Sequence, residues 1–575
     1  MIRYRIELHD PHAHHYRVTL TVPQPARLQR LSLPVWIPGS YMLREFSRHL
    51  SQLQARQGRT PVTLDQVDKS SWQAHCKGRG ALTLSYLVYA FDSSVRGAFL
   101  DAARGFFNAS SLCLRVEGRE GEAHGINLGG LPRGWAVATA MTAESARAYV
   151  AADYDELLDH PFELGHFWRG SFEVAGVPHA FVVSGAWPGF DAERLLTDTR
   201  RLCEAHVAFW HGRRQPRPPF DRYLFLLHAV EDGHGGLEHR ASTALMAARR
   251  DLPQAARPAA SEGYGNLLGL ISHEYFHAWN VKRLRPREVA RLDYTRENYS
   301  SLLWFFEGFT SYYDELLLLR AGLIDAPRYL SLVAKTINGV LATPGRQVQS
   351  VAQASFDAWV KYYRSDENTP NATISYYSKG ALVALALDLT LRRERRGTLD
   401  DVMRQLWRRH LGGPIDEADI EAALREVGGR SYRKELADWV HGTGELPLPS
   451  LLAAAGVAER TALAAFAATL GLRLSEGALS GVQVRAVLAG SAAAAAGVSA
   501  GDELLAVDDW RLRRFDDAQQ WLSRGQRFTL LVVRDQRLLT LDIQPPAQTA
   551  MSVSLSLAVA PAARAASLRR GWLGV

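Results

Sequence analysis

His273-Glu274-Tyr275-Phe276-His277 places two imidazoles four residues apart with a carboxylate directly after the first. On a helix both rings project from one face, close enough to hold a single Zn²⁺, and the glutamate lies beside the ion as a proton carrier. Leu267, Leu268, Leu270, Ile271 and Phe276, with no proline between Leu267 and Leu284, predict a buried helix for this segment. The competing reading is a core helix whose histidines bond to neighbouring carbonyls, and a third ligand decides between the two.

A catalytic zinc site takes three protein ligands and leaves one position for water, so an acidic residue on a second apolar helix is required. Residues 301–320 supply it. Glu307 stands amid Leu302, Leu303, Trp304, Phe305 and Phe306, where a lone carboxylate costs several kcal/mol of desolvation that a cation removes. Asp314, two turns further on the same face, could accept the remaining N–H of a ligating histidine, or be a solvated helix residue.

Two more groups of residues choose the reaction. Gly235-Gly236-Leu237-Glu238-His239 follows the strand Tyr223 to Leu227, which puts it on a sheet edge beside the metal helix. There Glu238 could pair with a substrate's free α-ammonium group and fix the scissile bond one residue in; the plain alternative is a turn with a salt-bridged glutamate. Ile374-Ser375-Tyr376-Tyr377-Ser378-Lys379-Gly380 opens an apolar helix, and a phenol at that position can donate to the oxyanion formed as a peptide carbonyl is attacked. Of the two adjacent tyrosines at least one is expected to pack.

The remainder of the chain must position these groups. Its 575 residues suffice for three or four domains, and 47% hydrophobic with 22% charged residues is an ordinary globular composition. A net charge of +7 with no basic block interleaved with aromatics excludes a nucleic-acid partner. Cys76, Cys113 and Cys203 are scattered and odd in number, so no disulfide framework is expected. The first residues lack the apolar core of a signal peptide and no apolar run reaches membrane-spanning length, which predicts a cytoplasmic protein without membrane contact; a removed leader would instead allow the periplasm.

Short alternating strands (Tyr4 to Leu8, Tyr16 to Val22, Ala81 to Tyr89) predict an all-β accessory domain over 1–160. A few strands and then helices over 161–450 predict an α+β catalytic domain. Thr398 and Asp401 form a capping-box pattern with Asp in place of Glu or Gln, and Leu446-Pro447-Leu448-Pro449 reads as a linker. Residues 451–548 hold an Ala-rich stretch and then a unit whose string Ala489 to Val507, preceded by Leu470-Gly471-Leu472, resembles a PDZ domain, which implies a site for a peptide C-terminus beside an open strand edge. Packing against the catalytic domain, with no free ligand, is the alternative. The tail 549–575 carries no readable role.

The run 273–286 (His273 to Pro286), the segment Trp304 to Tyr313, Gly235 to Thr243, and Pro34-Val35-Trp36-Ile37-Pro38-Gly39-Ser40-Tyr41 together resemble the glycyl aminopeptidase family of gluzincin metallopeptidases, over nearly the whole chain. The resemblance implies a multidomain α+β protein: an N-terminal all-β domain, a thermolysin-like α+β catalytic domain and a C-terminal PDZ domain. It implies a peptidase acting on peptides with a free N-terminus, with preference for small first residues such as Gly and Ala and one Zn²⁺ per chain. By it His273, His277 and Glu307 are the zinc ligands, Glu274 the general base, Glu238 the amine anchor, with Gly235 and Gly236 beside it, and Tyr377 the oxyanion donor. Glu307 lies 30 positions after His277, further than in aminopeptidases of the leukotriene-hydrolase type, so about Arg283 to Asn298 must form a loop. Gly235 to His239 also replaces the Gly-x-Met-Glu-Asn of those relatives, which leaves open how the substrate amine is shared. Two rival readings stand beside this one: a zinc endopeptidase whose PDZ domain captures chain termini, and a catalytically silent scaffold whose PDZ unit is the working part.

Overall fold

A computed structural model describes residues 1–212, 217–257, 261–477, 479–523, 525–546 and 551–575. The backbone forms two compact units: Met1–Tyr299 with Arg320–Leu323 and Leu406–Ile415, and Ser300–Leu319 with Ile324–Gln405 and Asp416–Val575.

The first unit opens with an eight-stranded sheet whose central strands are Ile2–Asp10, His15–Val22 and Leu82–Tyr89. Ile2, Tyr4 and Ile6 are buried while Arg3 and Arg5 face solvent, the period of two of a half-buried strand. Antiparallel pairing sets Tyr4 opposite Leu20 and Leu20 opposite Leu84, so one face of the sheet is continuous core. Two four-stranded sheets close over that face, one built on Arg104–Phe107 and Phe162–Gly165, the other on Leu28–Ser32 and Ser71–His75.

The same unit carries a five-stranded mixed sheet, in the order Trp168–Val174, Val177–Ser184, Tyr223–Val230, Ser242–Ala248, His234–Glu238. The three middle strands are parallel and buried, which calls for helical crossovers on the faces. Ala192–His211 is one such helix, capped by the Asp191 side chain on the Arg194 N–H; sequence reading found strands here and missed it. Glu262–Phe276 follows the sheet, with the Ser261 hydroxyl accepting from the Tyr264 N–H to start it.

The second unit is helical through Gly308–Arg320, Ala326–Leu341 and Tyr376–Glu394. Thr398 and Asp401 do form a reciprocal cap: the Thr398 N–H donates to Asp401 Oδ2 at 3.0 Å and the Asp401 N–H to Thr398 Oγ1 at 3.3 Å. The expected linker at 446–449 is instead the start of a helix, Leu448–Ala454, because Leu448, Leu451 and Leu452 share a face that is buried. A five-strand path then runs Leu472–Gly477, Gly481–Val487, Glu503–Val507, Phe528–Arg534, Arg537–Ile543, with Leu472–Gly477 at its edge.

The boundary expected at 548–549 lies outside the described residues, but the tail beyond it is ordered into two elements. Met551–Leu557 pairs antiparallel with Val457–Leu463, and the Asn338 side chain bonds both ways to the Val553 backbone at 2.8 Å. The helix Ala563–Leu573 then sets Trp572, 2% exposed, so that its indole N–H donates to the Tyr312 hydroxyl at 3.2 Å. That hydroxyl donates in turn to Asp388 at 2.7 Å, which also accepts from Arg392 at 2.9 Å. Replacing a buried tryptophan by alanine costs about 3–5 kcal/mol. Trp572→Ala is therefore expected to lower the unfolding midpoint in urea substantially, whereas Trp510→Ala, at an exposed position, leaves it nearly unchanged.

Candidate active site

The metal motif lies where a helix stops. His273 is in the last turn of Glu262–Phe276 and His277 is the residue that closes it, with ring centroids 4.6 Å apart. The chain then turns sharply: Val281 is held at φ 109°, rare for a β-branched residue, with its N–H on the Leu284 carbonyl at 2.8 Å. The turn brings the Asn280 carbonyl to 2.8 Å from His277 Nδ1. A carbonyl only accepts, so the proton is on Nδ1 and Nε2 is the nitrogen whose lone pair can face a metal.

Glu307 continues the helical path between Leu303–Phe306 and Gly308–Arg320 and is 2% exposed. One ligand atom from each of His273, His277 and Glu307 lies within 4.8 Å of the others, close enough to share one ion. Two imidazole nitrogens and a carboxylate oxygen are a donor set that suits zinc and leaves a position open.

Glu274 is buried under the edge strand His234–Glu238. The approach is so close that a Cβ at Gly236 would stand 2.0 Å from Glu274 Oε1, so no side chain fits there. Gly236 is needed for space and not for turn geometry. The Arg96 guanidinium donates to the Gly236 carbonyl at 3.0 Å, and a Cβ at Gly235 would meet the same guanidinium at 3.5 Å.

Glu238 ends that strand, 5% exposed, and no hydrogen bond or salt bridge reaches its carboxylate among the described residues. Gly39, at φ +91°, lies against it; a Cβ there would fall 2.6 Å from Oε2. Gly39 of the β domain therefore covers the carboxylate, and with Trp36, Pro38, Tyr41 and Lys282 it lines a cavity of about 800 Å³ that Glu238 also lines. The next residue looks elsewhere: His239 Nδ1 is 3.5 Å from Asp159, which also pairs with Lys282 at 2.7 Å and accepts the Arg240 N–H at 2.8 Å. Burial alone would raise the Asp159 pKa, but the Lys282 ammonium and His239 outweigh it and hold the carboxyl well below the usual range. Burial keeps His239 below its ordinary value, against the pull of Asp159.

Gly308 and Gly380 sit face to face where two helices cross; a Cβ on Gly308 would come 2.6 Å from the Gly380 backbone. The crossing brings the start of Tyr376–Glu394 beside Glu307. Tyr376 is fully buried, its ring tilted against Tyr362 with centroids 4.9 Å apart, while Tyr377 is only partly covered. Burial first, and then the charge of Glu307, push the Tyr377 phenol well above its usual pKa, so it stays protonated and able to donate. Asp314 lies in Gly308–Arg320 and accepts the Glu315 N–H at 2.6 Å. For His277 the remaining N–H goes to Asn280 and not to an aspartate. Sequence reading missed Arg96, Asp159 and Lys282: each meets the site through a contact with a distant segment, which no local pattern signals.

The chain matches the family model of the M61 glycyl aminopeptidase over residues 266–383, that of the peptidase M61 N-terminal domain over 3–166 and that of a PDZ domain over 483–534. The crystal structure of an aminopeptidase N family protein from Idiomarina loihiensis is 35% identical, with all of each chain covered and a TM-score of 0.94. An M1 zinc metallopeptidase from Deinococcus radiodurans is 15% identical over 78% of this chain and 95% of that one, at a TM-score of 0.48. No curated protein matches. This chain belongs to the M61 glycyl aminopeptidase family. It is a peptidase with a β-rich N-terminal domain, a helical catalytic domain and a C-terminal PDZ domain.

Two outcomes test this geometry. Gly236→Ala is expected to displace Glu274 and cut kcat by about 10² or more while zinc content, read by elemental analysis, is unchanged. Asp159→Asn, which leaves Lys282 buried without its counter-charge, is expected to cost about 3–5 kcal/mol at pH 7. Because the folded-state pKa of Asp159 is depressed, that contribution is present above the unfolded value of about 3.9 and is lost as pH falls through the folded one. The gap between parent and variant in denaturant unfolding should therefore narrow only below about pH 4.

Proposed function

We propose that this enzyme is a zinc-dependent aminopeptidase, with one ion per chain, that releases small first residues such as Gly and Ala from peptides with a free N-terminus. The observation that carries the reading is the Glu238 carboxylate, buried, facing a cavity and without a hydrogen-bonded or ionic partner among the described residues. A peptide ammonium supplies the missing charge, and an internal peptide segment does not.

His273, His277 and Glu307 would hold the zinc, which when bound acidifies water and polarises the scissile carbonyl. Glu238 anchors the ammonium and so sets the scissile bond one residue in. The edge strand over Glu274 lines up the substrate main chain, and Glu274 takes the proton of the attacking water and delivers it to the leaving amine. Tyr377, kept protonated, donates a hydrogen bond to the developing oxyanion. Asp314 is the candidate for the remaining N–H of His273.

The PDZ unit has a free strand edge at Leu472–Gly477 after Gly471, held at φ +78°, and we assign it a peptide C-terminus as ligand. Arg473 on this strand donates to Ala342 and Thr343, and Asn371 bonds Val487 and Ala489, so the unit is also packed in place. Among the described residues no helix is long and apolar enough to cross a membrane.

Hydrolysis of Ala-arylamide and Gly-arylamide, with and without chelator, tests the reading. Chelator should abolish turnover, and N-acetylation of a peptide substrate should block cleavage; cleavage of the acetylated peptide would mark an endopeptidase. Tyr377→Phe is expected to lose about 10²–10³ in kcat with zinc retained, and Glu274→Gln to be nearly inactive.

A further inference from the structure

Arg96 is a cation of the β domain set on the edge strand His234–Glu238, with no ion-pair partner among the described residues. Among the described residues the only hydrogen bond of its guanidinium is to the Gly236 carbonyl at 3.0 Å, its Nε is buried without a partner, and no carboxylate lies within salt-bridge distance. A guanidinium brought to a half-buried backbone without an ionic partner has donors to spare for an oxyanion.

Its position along the strand gives it a meaning. Glu238 ends the strand, Gly236 lies over Glu274, and Arg96 meets Gly235 and Gly236, so it stands two to three residues from Glu238, about 7–10 Å along the strand. An extended dipeptide or tripeptide spans about 7–11 Å from end to end. The guanidinium also occupies the Gly236 carbonyl, so a chain running on along this edge must displace it, whereas a chain that ends there meets a charge-assisted donor.

We propose that Arg96 is a specificity residue that binds a substrate carboxylate on the far side of the scissile bond from Glu238, and that this selects dipeptides and tripeptides with a free C-terminus. The assignment rests on the aminopeptidase reading, because Glu238 supplies its other fixed point. An acidic side chain on the second residue offers the same carboxylate, and the test separates the two.

The test compares kcat/KM for Ala-Ala with Ala-Ala-amide, and for Ala-Glu-amide with Ala-Gln-amide, in the parent, Arg96→Gln and Arg96→Lys. Ala-arylamide, which has no carboxylate, is the reference for each. The parent is expected to favour Ala-Ala over its amide by about ten- to a hundred-fold, chiefly in KM, with the preference lost in Arg96→Gln and partly kept in Arg96→Lys. A preference confined to Ala-Glu-amide over Ala-Gln-amide and lost in Arg96→Gln assigns the same cation to an acidic second residue. No discrimination in the parent, or discrimination that survives Arg96→Gln, overturns the proposal. Calorimetric binding of Ala-Ala and its amide to Glu274→Gln reads the same contact without turnover, so absent hydrolysis of Ala-arylamide refutes the aminopeptidase reading while binding still decides the role of Arg96.

Discussion

A peptide strand laid directly on a buried carboxylate is the arrangement on which the rest depends. Glu274 can lie under His234–Glu238 only because residue 236 has no side chain. A methyl group there would occupy the space of the carboxylate oxygen, and either the strand would lift or the glutamate would turn away. Because the strand is the last of its sheet, a peptide laid along its outer edge would run beside Glu274, the proposed proton carrier. The positions of Glu238 and of Arg96 matter only relative to that fixed point.

Glycine does the same work in the second unit. Gly308 and Gly380 let two buried helices cross at backbone contact, which no pair of larger residues permits, and the crossing seats Tyr377 within the field of Glu307. The tilted ring pair Tyr362 and Tyr376 and the chain from Trp572 through Tyr312 to Asp388 and Arg392 brace these helices. The C-terminal segment is thus part of the wall that holds the catalytic helices.

The β domain reaches the candidate site as directly as the five-stranded sheet does. Gly39 covers Glu238, Arg96 caps the Gly236 carbonyl, and Asp159 ties His239 to Lys282, five residues after the second histidine of the motif. His239 is engaged by Asp159, which supports the proposed assignment of the substrate amine to Glu238. Its companion feature, the loop after His277, is held by Arg283, whose guanidinium donates to the carbonyls of Ala278 and Arg240.

Local chemistry was legible in the chain itself. His273, Glu274 and His277 declare a metal helix because their spacing is a property of one turn, and Glu307 declares itself because a carboxylate within an aromatic run demands a counter-charge. The alternating strands near the N-terminus, the Thr398 cap and the PDZ string are likewise written in short windows. Arg96, Asp159 and Lys282 were not legible, since an arginine or a buried ion pair acquires its role from segments more than a hundred residues away, as Arg96 does from Gly236. The sequence also shows that glycines stand at 236, 308 and 380, but whether each serves a turn, a hinge or a close approach depends on what faces it, and only the folded chain brings that neighbour within 3 Å.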